Sequence, residues 1–352
     1  MSRRAQGALS GPGGRGGDGA GAGTAGKDEL VAQAVAQSDA VPDVVQARAA
    51  RASRWNAALN FLRTYPYLLP AIFFFVGWQL IPIYDALRLS FTDDKFLDQV
   101  AANWIGLQNY RDVLHDGLFW EGIKRAFIFT CIFVPGVILI PMAAAVCLDR
   151  VTSNKLSTVY RLILLVPSMI PAPLIFVLWL WMYNNYVGPI NYVLVDVLGV
   201  FDLRTQPQWI SDPRLVFPSI AFMEWWWGLG YHTVFFLAGL ATIPRDLFDA
   251  ARVDGASEWR MFWGVTFWRL LPIILVLAVI RFGSAMAVIE EYIIMGGYDK
   301  TRSTYTWTVY MYDTAFGGGM QFRGYAAAIG WVGAFFMLIV VAFMFYLFRS
   351  RD

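Results

Sequence analysis

Residues 243–272 read IPRDLFDAARVDGASEWRMFWGVTFWRLLP, and the reading of this stretch decides the fold. It lies between two of the most apolar runs of the chain, yet it carries Arg245, Asp246, Asp249, Arg252, Asp254, Glu258, Arg260 and Arg269. Hydrocarbon does not accept that density of charge, because each ion would lose its hydration without compensation. The segment must therefore lie in water or against another protein. Its punctuation predicts two short helices. Pro244 is preset for a helix start, and Asp246 and Asp249 fall where the positive end of the helix dipole favours acids. Asp254-Gly255 reads as a C-cap, and Ser257 as the N-cap of a second helix from Trp259 to Val265. Leu247, Phe248, Ala250, Ala251 and Val253 give the first helix small and apolar faces that need a partner.

Composition agrees with flanking runs that cross a membrane. Of 352 residues, 57% are hydrophobic and only 15% charged, where a soluble domain carries about a quarter charged residues. The expected class is an all-α membrane protein with six transmembrane helices, at about 67–89, 126–148, 160–183, 215–240, 271–295 and 325–348. Each run reaches the roughly 20 residues needed to cross a hydrocarbon layer about 30 Å thick. Pro167, Pro171 and Pro173 predict a kink within the third. An even number of spans puts both termini on one side. Arg and Lys are in excess on the side bearing Arg245, Arg252, Arg260 and Arg269, which predicts that this side is cytoplasmic.

The first 54 residues read as a disordered Gly/Ala-rich cytoplasmic tail, and 55–352 as the transmembrane domain with its 243–272 loop. Gly21 to Lys27 matches the spacing of a phosphate-binding loop. Asp28 stands where Ser or Thr would bind magnesium, and no strand precedes the match, so it reads as chance in a low-complexity tract. A net charge of +2, with no basic patch among aromatics, argues against nucleic acid as a partner. Cys131 and Cys147 lie sixteen residues apart in one run. That is about 24 Å along a helix, too far to bridge, and they read as buried small side chains. His115 and His232, with no further ligand cluster, read as structural or surface groups rather than metal ligands.

The charged loop closely resembles the cytoplasmic EAA loop of permease subunits of bacterial ABC importers. Its pattern appears as Asp249-Ala250-Ala251-x-x-Asp254-Gly255-Ala256, followed by Trp259, Phe262 and Leu271-Pro272. Asp249 replaces the usual Glu, keeping the charge on a shorter stem. Trp104-Ile105-Gly106-Leu107-x-Asn109-Tyr110 and Gly324-Tyr325-Ala326-Ala327-Ala328 are similar to segments of permeases for sugars and glycerol 3-phosphate. One departure is Met295-Gly296-Gly297-Tyr298 in place of Thr-Gly-Gly-Gly-Pro. The resemblance implies a type I importer permease architecture in a bacterial inner membrane. It implies that Asp249, Ala250, Ala251, Asp254, Gly255 and Ala256 dock into a cytoplasmic ATPase dimer that holds the ATP and magnesium. It also implies a second homologous permease and an extracytoplasmic solute-binding protein as partners. No cofactor is expected in this chain, and no enzymatic activity.

Charges inside spans are costly and mark function by default. Glu224 in the fourth run and Arg281 in the antiparallel fifth are expected at similar depth, as an ion pair or on a shared polar cavity. Trp225, Trp226 and Trp227 follow Glu224 and point in three directions on a helix, so Trp225 and Trp227 are carried as candidates for a substrate path. Glu290 and Glu291 are expected near the outer end of the fifth run. The alternative reading is a secondary transporter driven by an ion gradient. It is disfavoured by the lack of a half-repeat and the scarcity of intramembrane acids.

Overall fold

The computed structural model describes residues 67–95, 102–299, 301–318 and 321–349. The N-terminal tail and its chance phosphate-loop match lie outside these residues. The described chain falls into two units, divided between Leu80 and Ile81. Among the described residues the fold is all-α, and pairing of extended backbone is limited to isolated bridges such as Thr92 with Trp104.

Four helices are long and apolar enough to cross a membrane: α1 (Tyr67–Leu89), α3 (Gly117–Asp149), α8 (Glu258–Met286) and α11 (Arg323–Arg349). Between α1 and α3 stands α2 (Gln108–His115). The remaining elements are α4 (Asn154–Leu165), α5 (Ala172–Met182), α6 (Val216–Leu240), α7 (Arg245–Val253), α9 (Glu290–Gly296) and α10 (Trp307–Phe316). The runs at 67–89 and 325–348 match α1 and α11 closely. The run at 126–148 lies inside α3, which begins earlier because Asp116 caps it, its side chain accepting from the Leu118 amide at 2.8 Å.

Four expectations require correction. The run at 160–183 is not one kinked helix. It breaks into α4, a single 3-10 turn (Pro167–Met169) and α5, since Pro167 and Pro171 each lack an amide and cannot continue an α-ladder. The run at 271–295 ends at Met286, and after Ala287 to Ile289 the chain starts afresh as α9. The second loop helix is not separate. Ser257 caps it, and it runs through a π-turn (Phe262–Thr266) without interruption into the apolar helix, giving the single element α8. Cys131 and Cys147 are exposed on α3 rather than buried, and both are free.

The core lies where α3, α5, α6 and α8 meet, with Phe129, Phe133, Phe176, Ile220, Leu270 and Tyr292 among its buried members. Lipid is as apolar as a leucine side chain, so such helices associate by close packing and by hydrogen bonds. Gly136 supplies the packing: a Cβ there would fall 2.1 Å from the Trp225 ring. The indole of Trp225 then donates to the Phe133 carbonyl at 2.9 Å, joining α6 to α3. Trp307 on α10 donates to the Met286 carbonyl at 2.8 Å, taking up an orphan acceptor at the end of α8. At the start of α3, the second oxygen of Asp116 accepts from Tyr310 on α10 at 2.5 Å and from Tyr325 on α11 at 2.8 Å.

Candidate functional site

The charged loop begins with α7, which Pro244 caps as its position foretold. Its end is a Schellman turn: the Ala256 amide donates to the Ala251 carbonyl at 2.9 Å, and the Gly255 amide to the Arg252 carbonyl at 3.0 Å. This closure requires a left-handed residue, and Gly255 has φ +73°. Ser257 Oγ then accepts from the Arg260 amide at 3.4 Å to start α8. Only one residue, Ala256, therefore separates the turn from the next cap, so α7 is fixed rigidly to α8.

The faces of α7 divide cleanly. Leu247 and Phe248 pack onto the core of the molecule. Asp249, Ala250 and Asp254 are exposed, and Val253 is 87% exposed. Asp249 accepts from Arg252 within the same helix at 3.1 Å, so its shorter stem is satisfied locally. Arg150, at the end of α3, meets Glu258 at 2.8 Å and ties the start of α8 to the neighbouring helix. Of the sequence-predicted residues, Asp249, Ala250, Asp254 and Gly255 are exposed, and Ala251 and Ala256 are half-buried beneath them.

The second site is an open cavity of about 330 Å³ lined by α3, α5, α6, α8 and α9. Glu224 and Trp227 reach it from α6, and Arg281 and Ser284 from α8. Phe129, Phe133 and Phe176 supply apolar walls. The shared polar cavity expected for Glu224 and Arg281 is present, while no direct ion pair joins them among the described residues. Glu224 Oε1 and Arg281 Nε are buried without a hydrogen-bond partner among those residues. Trp227 lines it and donates to the Ile170 carbonyl at 3.2 Å, an acceptor freed by the break between α4 and α5. Trp225 does not reach the cavity, because its ring is seated on Gly136.

Glu290 and Glu291 also line the cavity. Sequence reading placed them at an outer end and did not join them to Glu224. The break over Ala287 to Ile289 folds them inward, and the paired acids at the end of an apolar run were the available signal. His232 is buried, and its Nδ1 donates to the Gly228 carbonyl at 2.7 Å, as a structural group would. His115 is exposed and makes the equivalent bond to Arg111 at 2.7 Å.

An exposed helix, α7, is thus joined by a single turn to a long apolar helix, α8, whose other end lines a polar cavity. The sequence profile described as "Binding-protein-dependent transport system inner membrane component" matches residues 123–351. The chain belongs to that family. It is a membrane permease component rather than an enzyme, carried in the inner membrane by several apolar helices. Among similar proteins is a probable ABC transporter permease of Pyrococcus horikoshii, 27% identical over 288 residues, covering 81% of this chain and 96% of the relative. The sulfoquinovosyl glycerol transport system permease protein SmoG of Agrobacterium fabrum is 28% identical over 305 residues, covering 86% and 95%. The diacetylchitobiose uptake system permease protein NgcF of Streptomyces coelicolor is 28% identical over 287 residues, covering 77% and 78%. The fold is shared with a crystal structure of a bacterial ABC transporter involved in alginate import, at a TM-score of 0.72 and 23% identity, covering 85% of this chain and 99% of the other.

Proposed function

We propose that this permease moves a sugar or sugar-like solute into the cytoplasm, by alternating access, in an importer powered by a separate ATPase. The observation that carries the reading is the continuity of α7, the Gly255 turn and α8. One end of this unit is an exposed surface of Asp249, Ala250, Val253 and Asp254. The other end bears Arg281 and Ser284 on the cavity. A push on α7 by an ATPase groove is thereby delivered to the cavity wall as a rigid-body motion rather than dissipated in a loop. Residues 249–256 are assigned to that groove, with ATP and magnesium on the partner, α7 on the cytoplasmic side and both termini beside it. A second permease and an extracytoplasmic solute-binding protein complete the importer.

A saccharide as cargo is supported by the names of two relatives, SmoG and NgcF. The cavity chemistry agrees: Trp227 and three Phe rings offer apolar faces for sugar C–H groups, while Glu224, Arg281 and the two acids of α9 offer hydrogen-bond partners. Glu224→Gln and Arg281→Gln test this directly by uptake of labelled saccharide into cells. Each is expected to lower uptake at least tenfold while assembly with the ATPase is preserved. Normal uptake in both variants would remove the cavity from the path.

A further inference from the structure

The N-terminal third of α8 carries a stripe of tryptophans without a protein partner. Trp259, Trp263 and Trp268 are 72%, 42% and 59% exposed. In an uninterrupted α-helix Trp263 and Trp268, five apart, would diverge. The π-turn over Phe262–Thr266 widens the helix and reduces this divergence, and Phe267 contacts both rings. Trp259 joins Trp263 edge-to-face at 5.7 Å, and Phe267 packs between Trp263 at 5.1 Å and Trp268 at 5.7 Å. Five other indoles, those of Trp120, Trp209, Trp225, Trp227 and Trp307, donate to protein acceptors. These three donate to none among the described residues.

Length indicates what covers them. The 29 residues of α8 rise about 43 Å at 1.5 Å each, against a hydrocarbon layer of about 30 Å. Standing upright, α8 projects about 13 Å, or roughly nine residues, beyond the hydrocarbon, which leaves Trp268 and Arg269 at its edge. From Leu270 to Ile280 α8 carries no charge, and Arg281 is the one charge up to Met286, whereas Glu258, Arg260 and Arg269 crowd the N-terminal end, so the projecting part is the tryptophan-bearing end. Arg260 and Arg269 flank it, both exposed and without a carboxylate partner among the described residues. An amphipathic indole with a free N–H, beside unpaired guanidinium groups, suits the layer of ester carbonyls and phosphates.

We infer that Trp259, Trp263 and Trp268, with Arg260 and Arg269, form a lipid-headgroup site that holds the root of the α7–α8 unit at the membrane surface and selects anionic phospholipid. The unit then pivots against the bilayer surface, and its coupling depends on lipid charge. The inference concerns the bilayer alone and does not depend on the cargo.

The test places a single nitroxide at Trp263→Cys or Trp268→Cys in a Cys131→Ser, Cys147→Ser chain. The full chain is held in nanodiscs of phosphatidylcholine with or without phosphatidylglycerol. Collisional access of oxygen and of a nickel chelate is read against Arg252→Cys on α7 and Ile280→Cys in the apolar part of α8. Both labels are expected between these two controls, and phosphatidylglycerol should reduce nickel access at least twofold. Nickel access equal to that at position 252 would overturn the inference. So would labels shielded from both reagents only when an ATPase subunit is bound, which would assign the stripe to protein. Should labelled chains misassemble, quenching by brominated phosphatidylcholine is compared between the native chain and Trp263→Phe, Trp268→Phe. An unchanged quenched fraction would equally overturn it.

Discussion

At Gly255 the backbone has φ +73°, and an added Cβ would meet nothing within 4 Å. Substitution therefore costs backbone strain alone, about 1–2 kcal/mol for a left-handed L-residue. Gly255→Ala is expected to leave the apolar core intact and to loosen the joint between α7 and α8. In the assembled importer, ATP hydrolysis should continue while transport per ATP falls severalfold. Asp116 presents a different kind of residue. Burial pushes its pKa up, but the hydroxyls of Tyr310 and Tyr325 and the amides of Leu118 and Phe119 outweigh this and hold it below 3.8. A depressed native pKa means that the carboxylate stabilises the fold above pH 3.8 and that this contribution is lost as pH falls through the lower native value. Asp116→Asn should therefore lower the unfolding temperature at neutral pH, and the gap to the unsubstituted chain should close in acid. A gap that persists in acid would show that the ionised form is not what the tyrosines hold.

Among the elements, the break between α4 and α5 has the clearest consequence. Pro167 and Pro171 interrupt the ladder, Ser168 returns a bond to the Leu165 carbonyl at 2.7 Å, and Trp227 takes the Ile170 carbonyl. Irregular backbone is tolerated at membrane depth only where protein or a cavity satisfies it. Trp227→Phe keeps the apolar wall but leaves that carbonyl unpaired, at a cost of about 0.6–2 kcal/mol for an intramembrane hydrogen bond. A lowered unfolding temperature together with slowed uptake is the expected outcome. The sequence carried much of this architecture. The charge density of 243–272, Pro244, Asp254-Gly255 and Ser257 announced α7, its closing turn and the cap that follows, because caps and turns are local chemistry. It did not carry the fusion of the second loop helix with the next span, since a π-turn has no strong side-chain signature. Nor did hydropathy separate Met286 from Glu290, because the Ala287–Ile289 break is itself apolar. That break folds Glu290 and Glu291 toward Glu224, so two of the cavity's three acids were hidden from a one-dimensional reading. Arg281 and Trp227 were legible because a charge or an indole at mid-span needs a reason, whereas Trp225 was drawn away by the small size of Gly136, ninety residues earlier.

For the whole molecule, the account rests on a division of labour. The core of α3, α5, α6 and α8 holds a cavity open beside Arg281. Large apolar side chains such as Phe335 at 66% and Phe343 at 58% exposure on α11 remain for lipid or a second permease. The exposed face of α7 is the proposed docking surface for the ATPase. The decisive measurement is affinity purification of the tagged chain from its native membranes in mild detergent, with mass spectrometry of what accompanies it. Native chain and Gly255→Trp are taken side by side. The account predicts that an ATPase subunit and a second permease accompany the native chain, and that the bulky residue within the Schellman turn releases the ATPase while the second permease stays. Recovery of the native chain alone, or of an ATPase held equally by both forms, would contradict the assignment of residues 249–256 to the motor.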